Sequence, residues 1–228
     1  MRNDKIFLKK PVHFETLQAV MSGKTSQRYY VVPGQTEKYP SMTTILSTHN
    51  QDGIEEWRKK VGDREANYVI KCAVRRGNRI HTMAEDYLNG ADVCEAGYNI
   101  FDQASYGQIK RILNTHVDNI RAQEATVYSN KLRVAGRFDL FAEYASVLSL
   151  IDFKTSKYNK PEAWMENYFL QTAGYAYCIW EMTGIYIPQI VIISAVDDDN
   201  FGHVTIKKTD DYVSKFFDVV KAWHKEND

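Results

Sequence analysis

The spacing of apolar positions changes twice along the chain, and that change sets the order of elements. Residues 14–32 alternate weakly and read as a polar hairpin, with Ser22-Gly23 as the turn and residues 28–32 as the returning strand. Tyr39-Pro40-Ser41 leads into a helix capped by Ser41 and running to about Leu46. Apolar residues then recur with helical period over 54–61, strongly over 65–89, and again over about 106–123. From there the chain is β-branched and aromatic: residues 125–128, 132–144 and 148–155 read as an antiparallel meander, with turns at Ser129-Asn130 and Ala145-Ser146. A helix over about 161–182 begins at Pro161 and is stopped by Gly184. Strands at 190–196 and 203–208 flank the acidic turn Asp197-Asp198-Asp199, and a helix over 211–225 follows. Helices, meander, helix, two strands, helix: the expected class is α/β, a mixed central sheet flanked by helices. No repeat or linker divides the chain, so residues 1–228 are taken as one domain, a hairpin and helical part over 1–123 and a sheet core over 124–228.

Composition narrows the classes. A hydrophobic content of 44% and a charged content of 25% are those of a globular protein. No apolar run approaches the ~20 residues of a membrane span, so no membrane partner is expected. The first residues show neither a secretory h-region nor a transit-peptide composition, which points to the cytoplasm, of a bacterium or a phage-infected cell. Cys72, Cys94 and Cys178 form no C-x-x-C pair, and no iron–sulfur cluster is expected. Net charge is zero, but residues 1–160 carry 24 Lys and Arg against 18 Asp and Glu, and residues 161–228 carry 5 against 11. Either the segregation is chance, or a neutral chain presents a basic face to a polyanion.

Several motifs fail. Gly23-Lys24-Thr25 lacks the earlier glycine and the following helix of a P-loop, and no dinucleotide fingerprint, zincin helix or nucleophile elbow occurs, so no nucleotide cofactor is expected. One stretch survives, residues 136–156. Asp139 reads as lying within one strand, and Asp152-Phe153-Lys154 ends the next. Asp152 and Lys154, two apart on an extended strand, share a face, and a tight turn brings Asp139 alongside. Two carboxylates that close need a cation, and hard oxygen ligands suit Mg²⁺ or Mn²⁺. A neighbouring lysine can meet charge developing on a phosphate. The bland alternative is an Asp–Lys pair at a strand end.

Gly136-x-x-Asp139, Asp152-Phe-Lys154-Thr155-Ser156 and Gln171-x-x-x-Tyr175 together resemble the RecB-like branch of the PD-(D/E)XK nuclease superfamily. Arg76-Gly77-Asn78-Arg79-Ile80-His81 resembles that branch's helical motif. Residues 39–46 resemble the signature of the mitochondrial genome-maintenance exonuclease group and its phage and bacterial relatives. The resemblance implies a restriction-endonuclease-like core and a metal-dependent DNA exonuclease, with single-stranded DNA favoured. It implies metal binding by His81, Asp139, Asp152 and the Phe153 carbonyl, catalysis by Lys154, and support from Gln171 and Tyr175. Glu85, one helical turn beyond His81, can take the imidazole's other N–H. For His81 the alternative is an ordinary structural histidine, and for Gln171 and Tyr175 it is core packing. DNA contacts are expected from Ser41, Thr44, Arg75, Arg76, Arg79, Thr155, Ser156 and Tyr175, within a basic helix over 57–81 of which part can equally be a solvated face. An endonuclease of the same superfamily and a catalytically silent DNA-binding module remain as other classes.

Overall fold

The structure, a computed structural model, describes residues 5–22, 27–49, 52–91, 93 and 97–227. The Ser22-Gly23 turn, the Gly23-Lys24-Thr25 motif and Cys94 fall wholly or partly outside them. A five-stranded sheet runs β10(His203–Lys208), β9(Gln189–Val196), β8(Val147–Ser156), β7(Leu140–Tyr144), β4(Val117–Gln123). β8 and β9 are parallel and every other pair is antiparallel. The mixed α/β class expected from the sequence is the class found.

Residue alternation on the central strands assigns each face its helices. Leu140, Ala142, Ile151, Phe153, Val191 and Ile193 pack against α3(Asp63–Leu88) and α4(Ile100–His116) through Ile80, Met83, Ile109 and Leu113. Phe141 and Leu150 pack the other way, on α5(Glu166–Thr183) and α6(Asp210–Asn227), with α1(Met42–Ser47) beside them. Both faces of β8 are therefore buried from Ser149 to Phe153, as for a central strand covered by helices on both sides. α5, entered through a 3-10 turn at Glu162–Met165, is the crossover that parallel strands require. Gly184, at φ 74°, closes it in the left-handed conformation. Ala145 and Ser146, at φ 49° and 66°, form the two-residue turn between β7 and β8.

Two expectations are corrected. Residues 117–123 continue the predicted helix in the sequence reading but form β4. Their Arg, Ala and Gln favour a helix, yet Val117 and Ile120 are buried in the sheet's core. β4 pairs with β7, and the segment before the hairpin covers its other edge through Lys10 N to Ile120 O and Val12 N to Arg121 O, both 2.8 Å. Sheet pairing outweighs local propensity. The predicted strand over 132–144 is also two strands. β6(Val134–Arg137) pairs with β5(Thr126–Ser129) in a separate ribbon, and β7 starts at Leu140, so Asp139 lies in the break and not within a strand. The hairpin is β1(Gln18–Met21) with β2(Arg28–Val31), joined by β3(Tyr39–Pro40).

α5 and α6 meet at Gly174, where an added Cβ would lie 2.6 Å from the buried Phe216 ring. Gly174→Ala should therefore destabilise the fold by about 1–3 kcal/mol, the range for overpacking a tight core. Thermal or urea unfolding of the purified variant checks this, and unchanged unfolding would show that the helices separate freely.

Candidate active site

The break at Asp139 builds the site. Glu124 N donates to Asp139 O at 2.9 Å and Phe138 N to Ala125 O at 3.1 Å, which holds the crossing segment in place. The Asp139 carboxylate then accepts the backbone N–H of Phe153 at 2.7 Å. Asp152 and Lys154 project from β8 with Leu150, toward α5. Asp152 is 3% exposed, and its Oδ2 lies 2.6 Å from Lys154 Nζ yet has no aligned hydrogen bond. His81 arrives from α3, on the other face of the sheet. Its Nε2 is 2.9 Å from the Phe153 carbonyl, and its Nδ1 is 3.3 Å from Asp139 and 3.8 Å from Glu124.

The electrostatics follow from this crowding. Burial disfavours a charged His81, but the Asp139 and Glu124 carboxylates outweigh it and push its pKa up to about 10. Burial raises Asp139, but His81, Lys154 and the Phe153 N–H bring it below its ordinary value. Asp152 goes the other way: burial, with the Asp139 charge added and Lys154 opposing, raises it to about 6. Lys154 is kept charged by Asp152 and Asp139 against its burial. His81, Glu124 and Asp139 offer ligand atoms all within 4.8 Å of one another. Together with the under-bonded Asp152 oxygen, this imidazole and carboxylate set fits a divalent cation.

Lys154 also contacts α5. Its Nζ donates to Gln171 Oε1 at 3.4 Å, and Gln171 Nε2 donates to the Tyr175 hydroxyl at 3.1 Å. Tyr175 is itself 3% exposed, and a Cβ on Gly136 would lie 2.4 Å from its ring. Only glycine at 136 lets the ribbon reach this tyrosine. Beside Glu124 a groove of about 640 Å³ opens between hairpin and ribbon, lined among others by Leu17, Arg28, Tyr30, Ala125 and Arg137.

No protein-family model matches the chain. Among curated proteins it is similar to mitochondrial genome maintenance exonuclease 1 of Homo sapiens, 28% identical over 156 residues, which are 63% of this chain and 44% of that protein. The Mus musculus protein of the same name is 27% identical over 139 residues, 57% of this chain and 40% of that one. The chain is related to the PD-(D/E)XK-type nucleases. The match spans less than half the length of these relatives. The alkaline exonuclease of Laribacter hongkongensis overlays at a TM-score of 0.34, with 15% identity over 68% of this chain and 79% of that one, too loosely to carry weight.

Within that relationship the motif residues divide. His81, Asp139, Asp152, Phe153 and Lys154 converge, and Gln171 stands behind the lysine. Tyr175 supports Gln171 from the core, so its buried ring is not a surface for DNA. Glu85 does not reach His81: burial and the Glu124 charge raise its carboxyl, and Glu124 takes the place by the imidazole. Glu124 was missed because residues up to 123 read as helix, which left it with no partner strand. Ser41 and Thr44 are buried. Ser41 Oγ caps Thr44 N at 3.0 Å, and Thr44 Oγ1 is bound to the Arg28 backbone, so these hydroxyls hold α1 to the hairpin. Arg76 is engaged by Asp197 and Ser105, and Arg79 pairs with the buried Asp102 at 3.0 Å. Of the three arginines, Arg75 is exposed and, among the described residues, has no such pairing. Thr155 and Ser156 lie at the end of β8, where Ser156 Oγ donates to Tyr158 O.

A ligand imidazole must give up its proton and a ligand carboxylate must carry none. With His81 near 10 and Asp152 near 6, Mn²⁺ affinity should rise as pH rises from about 5 to 8, with about one proton released per ion bound near neutrality. Calorimetry in buffers of different ionisation enthalpy measures both. Glu124→Gln should weaken Mn²⁺ binding about 10–100-fold, and Glu85→Gln much less. Equal effects would return Glu85 to the set.

Proposed function

We propose that the protein is a divalent-metal-dependent deoxyribonuclease that hydrolyses phosphodiester bonds from DNA ends, with single strands preferred. One observation carries the reading: an imidazole from α3, two carboxylates from the break and from β8, and a lysine two residues on meet at one point. Names of the curated relatives, which are exonucleases, support the class of reaction. Mg²⁺ or Mn²⁺ would be held by His81, Glu124, Asp139, Asp152 and the Phe153 carbonyl, and would supply Lewis-acid stabilisation to a phosphate undergoing attack.

The chain's own residues do the rest. Asp139 is oriented by the Phe153 amide, so its carboxylate is fixed before substrate arrives. Lys154 stays protonated between Asp152 and Gln171 and can donate to a phosphate oxygen as negative charge gathers there. Gln171, braced by Tyr175, keeps the long lysine side chain from folding onto Asp152 alone. Arg28 flanks the groove beside Glu124, where Arg137 pairs with Glu124 at 3.0 Å, and would follow the strand's backbone, with Arg75 further out on α3.

Asp152→Asn or Lys154→Ala should lower cleavage of end-labelled single-stranded oligonucleotides by about 10²–10³ or more, with unfolding unchanged. Mononucleotides released from the label, in Mg²⁺ or Mn²⁺ only, are the expected products. Cutting of a covalently closed circle would move the protein to the endonucleases. Near wild-type rates in both variants would remove these residues from the chemistry.

A further inference from the structure

A second concavity flanks the site on the side away from the groove. It is a cavity of about 170 Å³ at the C-terminal ends of β8 and β9, closed by the start of β10 and the approach to α5. Thr155, Ser156, Lys160, Tyr168, Ser194 and Thr205 are in its wall, and Lys154 joins it to the catalytic group. It shares no lining residue with the groove beside Glu124, and in the sheet order β7 lies between β8, which lines the cavity, and β4, which reaches the groove at Gln123. Carboxyl ends of parallel strands are where open α/β sheets bind ligands.

Its charge is unbalanced. Lys154 and Lys160 both approach the Tyr168 ring, at 4.9 and 5.1 Å from its centre, and Lys160 Nζ donates to the Tyr168 hydroxyl at 2.6 Å. Asp152 compensates Lys154. Glu162 in the wall is engaged by Lys207, and His203 faces Asp199 at 2.8 Å. Among the described residues no carboxylate lies in ion-pair range of Lys160. A half-buried ammonium with only a phenol beside it, among hydroxyls, is built for an anion. The volume is below the ~300–1,000 Å³ of pockets that enclose a drug-sized ligand, so a phosphate and part of its sugar fit while a base stays outside.

We infer that this cavity receives the terminal phosphate of a DNA strand, with Lys160 as the residue that positions it, so that the neighbouring phosphodiester lies at Asp139 and Asp152. The inference rests on the nuclease reading and adds to it what selects the end. A phosphomonoester at a 5′ end, at a 3′ end or on the released mononucleotide carries the same chemistry, and the experiment separates them.

Four single-stranded oligonucleotides of one sequence, bearing a 5′-phosphate, a 3′-phosphate, both or neither, are compared by kcat/KM in Mn²⁺. One phosphorylated end should be used about tenfold faster than its hydroxyl counterpart, the scale of one charge-assisted hydrogen bond. Lys160→Ala should bring that ratio to about one, and Lys160→Arg should restore part of it. If the product is the occupant, deoxynucleoside monophosphate inhibits the wild type more strongly than Lys160→Ala and the ends are used alike, which overturns the strand-end assignment. A ratio of one throughout, or one unchanged by Lys160→Ala, also overturns it. Anisotropy of the same oligonucleotides in Ca²⁺ keeps the two readings apart. If DNA is never cut but a phosphorylated end still binds more tightly through Lys160, the nuclease reading fails and the cavity stands; equal binding of all four removes the cavity.

Discussion

The hydrogen bond from the Phe153 amide to the Asp139 carboxylate is the constraint on which the site depends. It exists because β7 begins only at Leu140, which leaves no strand residue opposite Phe153 on that side. The carboxylate fills that place in the ladder. A side chain fixed by backbone has little rotamer freedom left, so Asp139 is set by the sheet itself. The same residue, Phe153, sends its carbonyl to His81 from the opposite face. One residue of β8 thus registers the α3 imidazole against the Asp139 carboxylate, and any slip of β8 against β7 would separate both.

The second constraint is charge in a half-buried space. Asp139 and Asp152 are pushed apart in acidity by surroundings a few ångströms apart: one has an amide and an imidazole, the other a lysine and little else. The Asp139 and Glu124 carboxylates beside His81 push its pKa up to about 10 against its burial. A divalent ion held there, as proposed, would meet the same carboxylates, and the imidazole would have to give up its proton to bind it. Lys154 needs a different kind of support, because a four-carbon stem beside a carboxylate would collapse onto it. Gln171 and Tyr175 provide a second anchor, and the tyrosine in turn depends on Gly136.

Much of this was legible in the sequence. Asp152 and Lys154 are placed on one face by the period of two, and β8 is marked by its β-branched and aromatic residues between turns, because both features are local. Ser41 was identified as a helix cap for the same reason. His81 and the Gln171–Tyr175 pair came from the resemblance, and the fold brings them to the same point. Where the sequence reading failed, a partner distant in the chain was decisive. Arg76 and Arg79 read as part of a basic path, but Asp197 and Asp102, well separated from them in the chain, engage both. Glu124 had nothing near it in sequence to mark it.

The sequence by itself determined the elements whose pattern is carried by neighbours: the helix capped by Ser41, the long helix now α3, most of α4, the turn at Ala145-Ser146, the helix α5, and the carboxylate–lysine spacing on β8. Tertiary structure decided the rest. It turned residues 117–123 into a strand, broke residues 132–144 at Asp139, and replaced Glu85 by Glu124 beside His81. The physical reason is common to all three. Propensity and periodicity act over a few residues, whereas a sheet edge to be paired and a buried charge to be compensated are satisfied by groups brought together from opposite ends of the fold.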